Sequence, residues 1–261
     1  MAPPTVAVIG TCDTKLQELL FLRDEIRNVH KLDTILIDVG FNPTESSEID
    51  VTQRDIVAKA SPPDEDIFQL TRGEYIQRMG IYTANYLISL YHANKIHGAV
   101  SAGGSGGTAL SSNAMQGLSV GFPKMIVSTI ASGDTTDIIG GTDIMLMYSV
   151  VDVAGLNRLL RQVLSNAAAA ISGAAASYAK RKEVEDKSQQ PGKTRIGITM
   201  FGVTTPGVDA IRKHLESHYD VETYVFHATG TGGKAMERLV LENELDGLLD
   251  LTTTEITDYV M

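Results

Sequence analysis

Two short glycine-rich segments are the residues in this chain best suited to chemistry. The first is Gly103-Gly104-Ser105-Gly106-Gly107-Thr108, followed by Ala109-Leu110; the second is Gly230-Thr231-Gly232-Gly233-Lys234, followed by Ala235-Met236. Counted from Gly104 and Gly230, both satisfy G-x-G-x-x-A and form an internal repeat. Each follows a strand candidate and precedes a helix candidate, over 109–118 and 235–244. Glycines let a backbone turn sharply and approach a ligand closely. A helix N-terminus behind them offers oriented amides and partial positive charge to a phosphate. A tight turn without a ligand is the plain alternative for each. Neither loop follows the first strand of its half, and no acidic residue ends the next strand of the first half, so neither is a standard dinucleotide fingerprint. Neither is a Walker A loop, because Lys234 is followed by Ala235.

Three further loops carry polar groups after strands. In Gly10-Thr11-Cys12-Asp13-Thr14-Lys15, Thr11 and Thr14 suit phosphate or ribose, Lys15 supplies charge, and Asp13 suits a metal or ribose; simple helix capping is the alternative. Ser132-Gly133-Asp134-Thr135-Thr136-Asp137 and Gly140-Gly141-Thr142-Asp143 suit Mg²⁺ or sugar hydroxyls, with capping and solvation as the plain reading. Thr204-Thr205-Pro206-Gly207 reads as a helix entry, and Thr252-Thr253-Thr254-Glu255 closes the series. The six histidines form no metal-binding pattern, although His227 adjoins the second glycine loop. Cys12 has no base beside it in sequence, so packing is favoured over nucleophilic chemistry. Ser105 lies among glycines, but no nucleophile elbow or triad is read around it.

The elements that position these loops alternate. Strands are expected at 5–9, 34–39, 98–102, 124–129, 195–201, 221–227 and 247–251, most of them short, rich in Val and Ile and continuously apolar, as in a parallel sheet covered on both faces. A first helix is expected to begin with a capping box from Thr14 to Gln17. A second spans 73–93, with Tyr75, Met79, Tyr82, Tyr86, Leu87 and Leu90 along one stripe, read as core or subunit interface. A third, alanine-rich helix spans 152–183. The polar stretch 185–194, with Pro191-Gly192, is the expected linker between domains 1–184 and 195–261.

The 261 residues are 43% hydrophobic and 21% charged, as in ordinary globular chains. The net charge of −10 and pI near 5.0 argue against nucleic acid as a partner. No signal peptide or membrane span is read, and the single cysteine agrees with a reducing compartment, so a cytoplasmic protein is expected.

Residues 6–15, Gly103–Thr108, Ser132-Gly133-Asp134 and Gly197–Pro206 together resemble the Tm-one-like ATP-binding family, named for a tomato protein that inhibits replication of tomato mosaic virus. The resemblance covers essentially the whole chain. It implies an α/β fold of two Rossmann-like domains with parallel sheets, ATP as the bound nucleotide, and a homodimer; Mg²⁺ is expected from the aspartate-bearing loops. The tomato member's viral partner is not carried over, although a protein partner of some kind fits a regulatory module. Family members extend further, so the second domain is expected to be incomplete at its C-terminal side. The expected nucleotide contacts are the first glycine loop, Thr11, Asp13, Lys15, Ser132, Gly133 and Asp134, together with Gly230, Thr231, Gly232, Gly233 and Lys234. The alternatives are an enzyme acting on a nucleotide-activated or phosphorylated small molecule, a transferase or epimerase by analogy of fold, and a scaffold whose loops are vestigial.

Overall fold

A computed structural model describes residues 2–60, 66–187 and 192–254. The chain divides between Lys187 and Ser188 into two compact units. The first holds β1 (Thr5–Gly10), α1 (Cys12–Asp24), β2 (Asp33–Asp38), α2 (Gln53–Ala60), α3 (Arg72–His92), β3 (Gly98–Gly103), α4 (Ser105–Gln116), β4 (Lys124–Ser128), α5 (Thr136–Ile139), β5 (Met145–Tyr148) and α6 (Arg158–Lys187). Its five strands are all parallel, in the order β2-β1-β3-β4-β5. This is the α/β architecture with parallel strands expected from the sequence.

The alternation within β1 shows how the sheet is covered. Ala7 and Ile9 join a core with Tyr75, Met79, Leu87, Leu110 and Met115. Val6 and Val8 point to the other face, against Leu19, Leu22, Leu160, Leu164 and Ile171. Because successive strand side chains face opposite ways, the apolar run supplies two cores, one under α3 and α4 and one under α1 and α6. At the end of β1, a methyl on Gly10 would lie 2.5 Å from Leu19 Cδ1, so glycine is what lets α1 pack this close.

Several expectations change. The first helix begins at Cys12 with Thr11 at its N-cap and no side-chain cap, so the capping box at Thr14 is not formed. The cap contact comes instead from a neighbouring strand: Asp38 Oδ1 accepts from the Cys12 N–H at 2.9 Å. The long helix starts one residue earlier than expected, where Thr71 and Glu74 form a capping box. Its stripe is core of its own unit, with Tyr75 and Met79 fully buried. The alanine-rich helix starts at Arg158, not 152, and continues to Lys187, inside the expected linker; 188–191 of that linker lie outside the described residues. Strand β5 was not among the expected strands, although its four residues, Met-Leu-Met-Tyr, are all apolar; it is a short edge strand with both ends exposed.

The second unit holds β6 (Thr194–Met200), α7 (Thr205–His218), β7 (Val221–His227), α8 (Thr231–Leu241) and β8 (Gly247–Leu249). These three described strands are parallel, in the order β7-β6-β8. The central strand is again the first in sequence, as in the first three strands of the other unit. The second sheet is the smaller.

Candidate functional site

In an open parallel sheet, ligands bind beyond the carboxyl ends of the strands, where neighbouring strands send their connections in opposite directions. In the first unit that point lies between β1 and β3. The loops after these strands meet there around a cavity of about 350 Å³, within the ordinary range for small ligands. Thr11, Asp13, Thr14 and Lys15 line one side and Gly104, Ser105, Gly106 and Gly107 the other. Phe41 and Asn42, from the loop after β2, and Arg72, Tyr75 and Ile76, from the start of α3, complete the wall, with Asp152 contributing as well.

The glycine loop is an N-terminus without a cap. Gly104 is the N-cap of α4 and supplies no side chain to the first-turn amides. The glycines at 106 and 107 are not demanded by the fold. Neither has positive φ. A methyl on Gly106 would lie 3.4 Å from Ile76 Cδ1, and one on Gly107 4.0 Å from Thr11 Oγ1. Space above this turn is therefore left open on the cavity side. Two hydroxyl pairs pin α4 to the sheet: Thr108 with Ser128 at 2.7 Å, and Ser101 with Ser111 at 2.7 Å, all four residues buried. Thr108 thus supports the loop from beneath, and Gly103 ends β3 in the interior.

The cavity mixes charges. Lys15 and Arg72 lie on its walls, and neither has a carboxylate partner among the described residues. Asp13 and Asp152 offset them. Asp13 is committed to structure, because its Oδ2 accepts from both the backbone N–H (3.1 Å) and the side-chain amide (3.2 Å) of Asn42. Beneath the cavity, Asp38 Oδ1 accepts from Cys12 and Gly40 amides, while its Oδ2 has no hydrogen-bond partner. Burial outweighs those two bonds and raises the Asp38 carboxyl above the usual range. Burial, then the Asp38 charge, pushes the Cys12 thiol up and away from thiolate chemistry, as the packing reading of Cys12 requires. Tyr75 donates to the Gly40 carbonyl at 2.5 Å, and burial raises its hydroxyl also.

The run from Gly103 to Gly107 does satisfy Gly-x-Ser-x-Gly, which the sequence reading passed over. The local geometry is nevertheless not that of a strained elbow. Ser105 is not among the described residues with positive φ, and no histidine lines the cavity.

The remaining expected residues lie elsewhere. Ser132, Gly133 and Asp134 follow β4 and do not line this cavity. Asp134 Oδ1 accepts from the Thr136 N–H (2.9 Å) and hydroxyl (2.7 Å), a local turn ahead of α5, whose N-cap Thr135 makes no side-chain cap bond. These bonds hold its carboxyl below the usual range. Among the described residues, no group of three His, Cys, Asp or Glu is placed to hold a metal ion.

In the second unit the glycine repeat takes a different place. Gly230–Lys234 follows β7, an edge strand, and not the strand that corresponds to β3. Its glycines have local reasons: Gly230 has φ +76°, and a methyl on Gly232 would collide with the His227 carbonyl. At this sheet's own switch point stand the threonine loops. Thr204 and Thr252 share a hydrogen bond at 2.7 Å, and Thr199 donates to Asp250 at 2.7 Å. Pro206 sits in the first turn of α7, as expected. Glu255 lies outside the described residues. His227 pairs with the Thr229 hydroxyl at 3.0 Å.

Arg72, Phe41, Tyr75 and Asp152 were not singled out as ligand contacts. Their only signal was positional: a residue just after a strand or at a helix start, visible once the strand order is known.

The fold and cavity define a doubly wound α/β protein of the kind that receives ligands at a topological switch point. By sequence the chain belongs to the Uncharacterised protein family (UPF0261), whose N-terminal domain matches residues 4–180 and C-terminal domain residues 193–261. A UPF0261 protein of Clostridium tetani is 41% identical over 98% of this chain and 61% of its own length. The ToMV resistance protein Tm-1(GCR237) of Solanum lycopersicum is 39% identical over 99% of this chain and 36% of its own length. The chain thus spans only about three-fifths and one-third of these relatives. Among solved structures, the UDP-N-acetylglucosamine 2-epimerase of Rickettsia bellii aligns over 97% of this chain and 69% of its own, with TM-score 0.32 and 10% identity. A Trichoderma reesei cutinase aligns over 67% of this chain and 75% of its own, with TM-score 0.34 and 13% identity. Likenesses this slight bear on no reaction. No described helix is long and apolar enough to cross a membrane.

Proposed function

We propose that the first unit binds a nucleotide, ATP in the family resemblance, with its phosphates against the N-terminus of α4. The observation that carries this is the open glycine turn. Gly106 and Gly107 have ordinary backbone angles and room for a side chain, yet they leave the first-turn amides accessible from a cavity that also holds Lys15 and Arg72. A phosphate needs that close backbone approach, whereas the protein's own packing does not. The α1 N-terminus serves as an internal contrast, since Asp38 already occupies it.

Mg²⁺ would enter with the phosphates, because the described residues build no cage for it. Asp152 is the carboxylate on the cavity wall not already committed to a structural pair, and it would face that ion. The cavity holds Ser105 but no histidine to serve as its base, so a serine-hydrolase reaction is not part of the proposal and no turnover is assigned. Homodimerisation and a protein partner remain parts of the proposal carried by the family resemblance alone.

The test is calorimetric titration of the folded chain with ATP, with and without Mg²⁺. Saturable one-site binding is expected. A folded chain that gives no saturable heat with either form would refute nucleotide binding.

A further inference from the structure

The phosphate end of the cavity is only half of its wall. The other half is apolar and aromatic: Val39, Phe41, Tyr75, Ile76 and Leu110. Phe41 is partly exposed, while Tyr75, packed edge-on against it at 4.9 Å between ring centroids, is buried. Tyr75 therefore backs Phe41 from inside the protein, and Phe41 keeps surface on the cavity.

The segment carrying this ring is unusually tied down. The Val39 N–H donates to the Gly10 carbonyl at 2.9 Å. The Gly40 N–H donates to Asp38 at 2.8 Å. Asn42 is held twice by Asp13. Three successive anchors thus bracket an exposed aromatic residue, and two of them are carboxylates close to the loop that faces the phosphates. Asp13 and Asp38 approach the same point from two elements: a methyl on Gly40 would lie 2.7 Å from Asp13 Oδ1 and 3.1 Å from Asp38 Oδ1. Glycine at 40 is what lets both carboxylates close on this turn.

We infer that Phe41 is the stacking platform for the base of the nucleotide, and that Asp13 is a positioning residue for that platform and not a ligand of metal or ribose. This rests on the nucleotide reading above and deepens it: the ligand class is a molecule with a flat ring at one end and phosphates at the other, not a simple phosphate or a sugar phosphate. Ring stacking tolerates different bases, so purine and pyrimidine nucleotides belong to one class here.

The experiment compares ATP with inorganic triphosphate, which keeps the three linked phosphates, carries one more charge, and lacks both ribose and base; the Phe41 variants separate the base from the ribose. Affinities are measured calorimetrically, with and without Mg²⁺, for the unaltered chain and for Phe41→Leu, Phe41→Tyr and Asp13→Ala. ATP is expected to bind at least about fivefold more tightly than triphosphate, the lower end of what one stacked base contributes. Phe41→Leu should erase that preference by weakening ATP alone, and Phe41→Tyr should restore it. Asp13→Ala should weaken ATP while leaving triphosphate unchanged or tighter, because a negative charge near the phosphates is removed. Circular dichroism and melting establish that each variant is folded; the Phe41→Tyr result keeps the test meaningful if the leucine variant is not. Equal binding of ATP and triphosphate by the unaltered chain would overturn the stacking inference while leaving phosphate binding intact. Loss of Mg²⁺ dependence in Asp13→Ala would overturn the positioning role in favour of a metal contact. Binding of neither ligand would overturn this inference together with the nucleotide reading.

Discussion

Replacing both Gly106 and Gly107 by alanine should make the protein more stable and its nucleotide site worse. Both residues lie in the first turn of α4 with negative φ. The nearest atoms to the new methyls would be Ile76 Cδ1 at 3.4 Å and Thr11 Oγ1 at 4.0 Å, ordinary contact distances. A Gly-to-Ala change at a compatible position stabilises by about 0.4–1 kcal/mol, chiefly by restricting the unfolded chain. Two such changes should add roughly 1–2 kcal/mol. For a cooperative unit of this size, each kcal/mol moves the midpoint by about 2–4 °C, so the unliganded melting temperature should rise by ~2–8 °C. The same methyls stand where phosphate oxygens would meet the amides. In the unaltered chain, ATP at about 100 times its dissociation constant should stabilise by roughly 2.7 kcal/mol; in the double variant that increment should largely vanish. The assay is thermal unfolding of both chains across an ATP series. A variant that melts lower than the unaltered chain would show that the fold itself requires these glycines. A variant that melts higher but keeps the full ATP shift would show that the ligand does not approach this turn.

Thr108→Val keeps the shape but removes the hydroxyl paired with Ser128; since Ser128 retains the Ile130 N–H, urea unfolding should show a loss of about 0.5–1.5 kcal/mol. Lys124 is wholly buried, donates to the Ser119 and Phe122 carbonyls and pairs with Asp143 at 2.7 Å. Lys124→Met leaves those acceptors without this donor and should cost about 1–3 kcal/mol by the same measurement. Asp38 gives a pH signature. Its folded carboxyl is raised by burial, so the unfolded chain loses this proton first and stability falls as pH rises above the ordinary aspartate value of about 3.9. Asp38→Asn keeps an oxygen to accept from Cys12 and Gly40 without the buried charge. Its stability relative to the unaltered chain should therefore improve as pH rises above about 4, until the folded carboxyl itself ionises; a difference that stays flat or falls as pH rises from about 4 would contradict the burial argument.

The sequence determined the elements whose signals are local. Short runs rich in Val, Ile and Ala at 5–9, 98–102 and 124–129 sufficed for buried parallel strands, because a strand covered on both faces is apolar at most of its positions; Ser101, Lys124 and Ser128 are buried exceptions. The first glycine loop was legible as an approach to a helix N-terminus, and the loop at 10–15 as a separate polar strand-to-helix turn, because glycine and hydroxyl content record backbone requirements directly. Strand order was not legible, and it decided the rest. Only the order β2-β1-β3 shows that the loops after β1 and β3 share a cavity. The same kind of order in the second sheet places Gly230–Lys234 beyond an edge strand, where its glycines answer to a tight turn. Two segments with the same glycine spacing thus occupy inequivalent positions, since a motif encodes its own turn but not its neighbours. Arg72 and Phe41 reach the cavity from elements distant in sequence, and Asp13 is drawn to Asn42 across 29 positions. Such contacts depend on which chain segments the sheet brings side by side, a property of its hydrogen-bonded ladder that no local spacing carries.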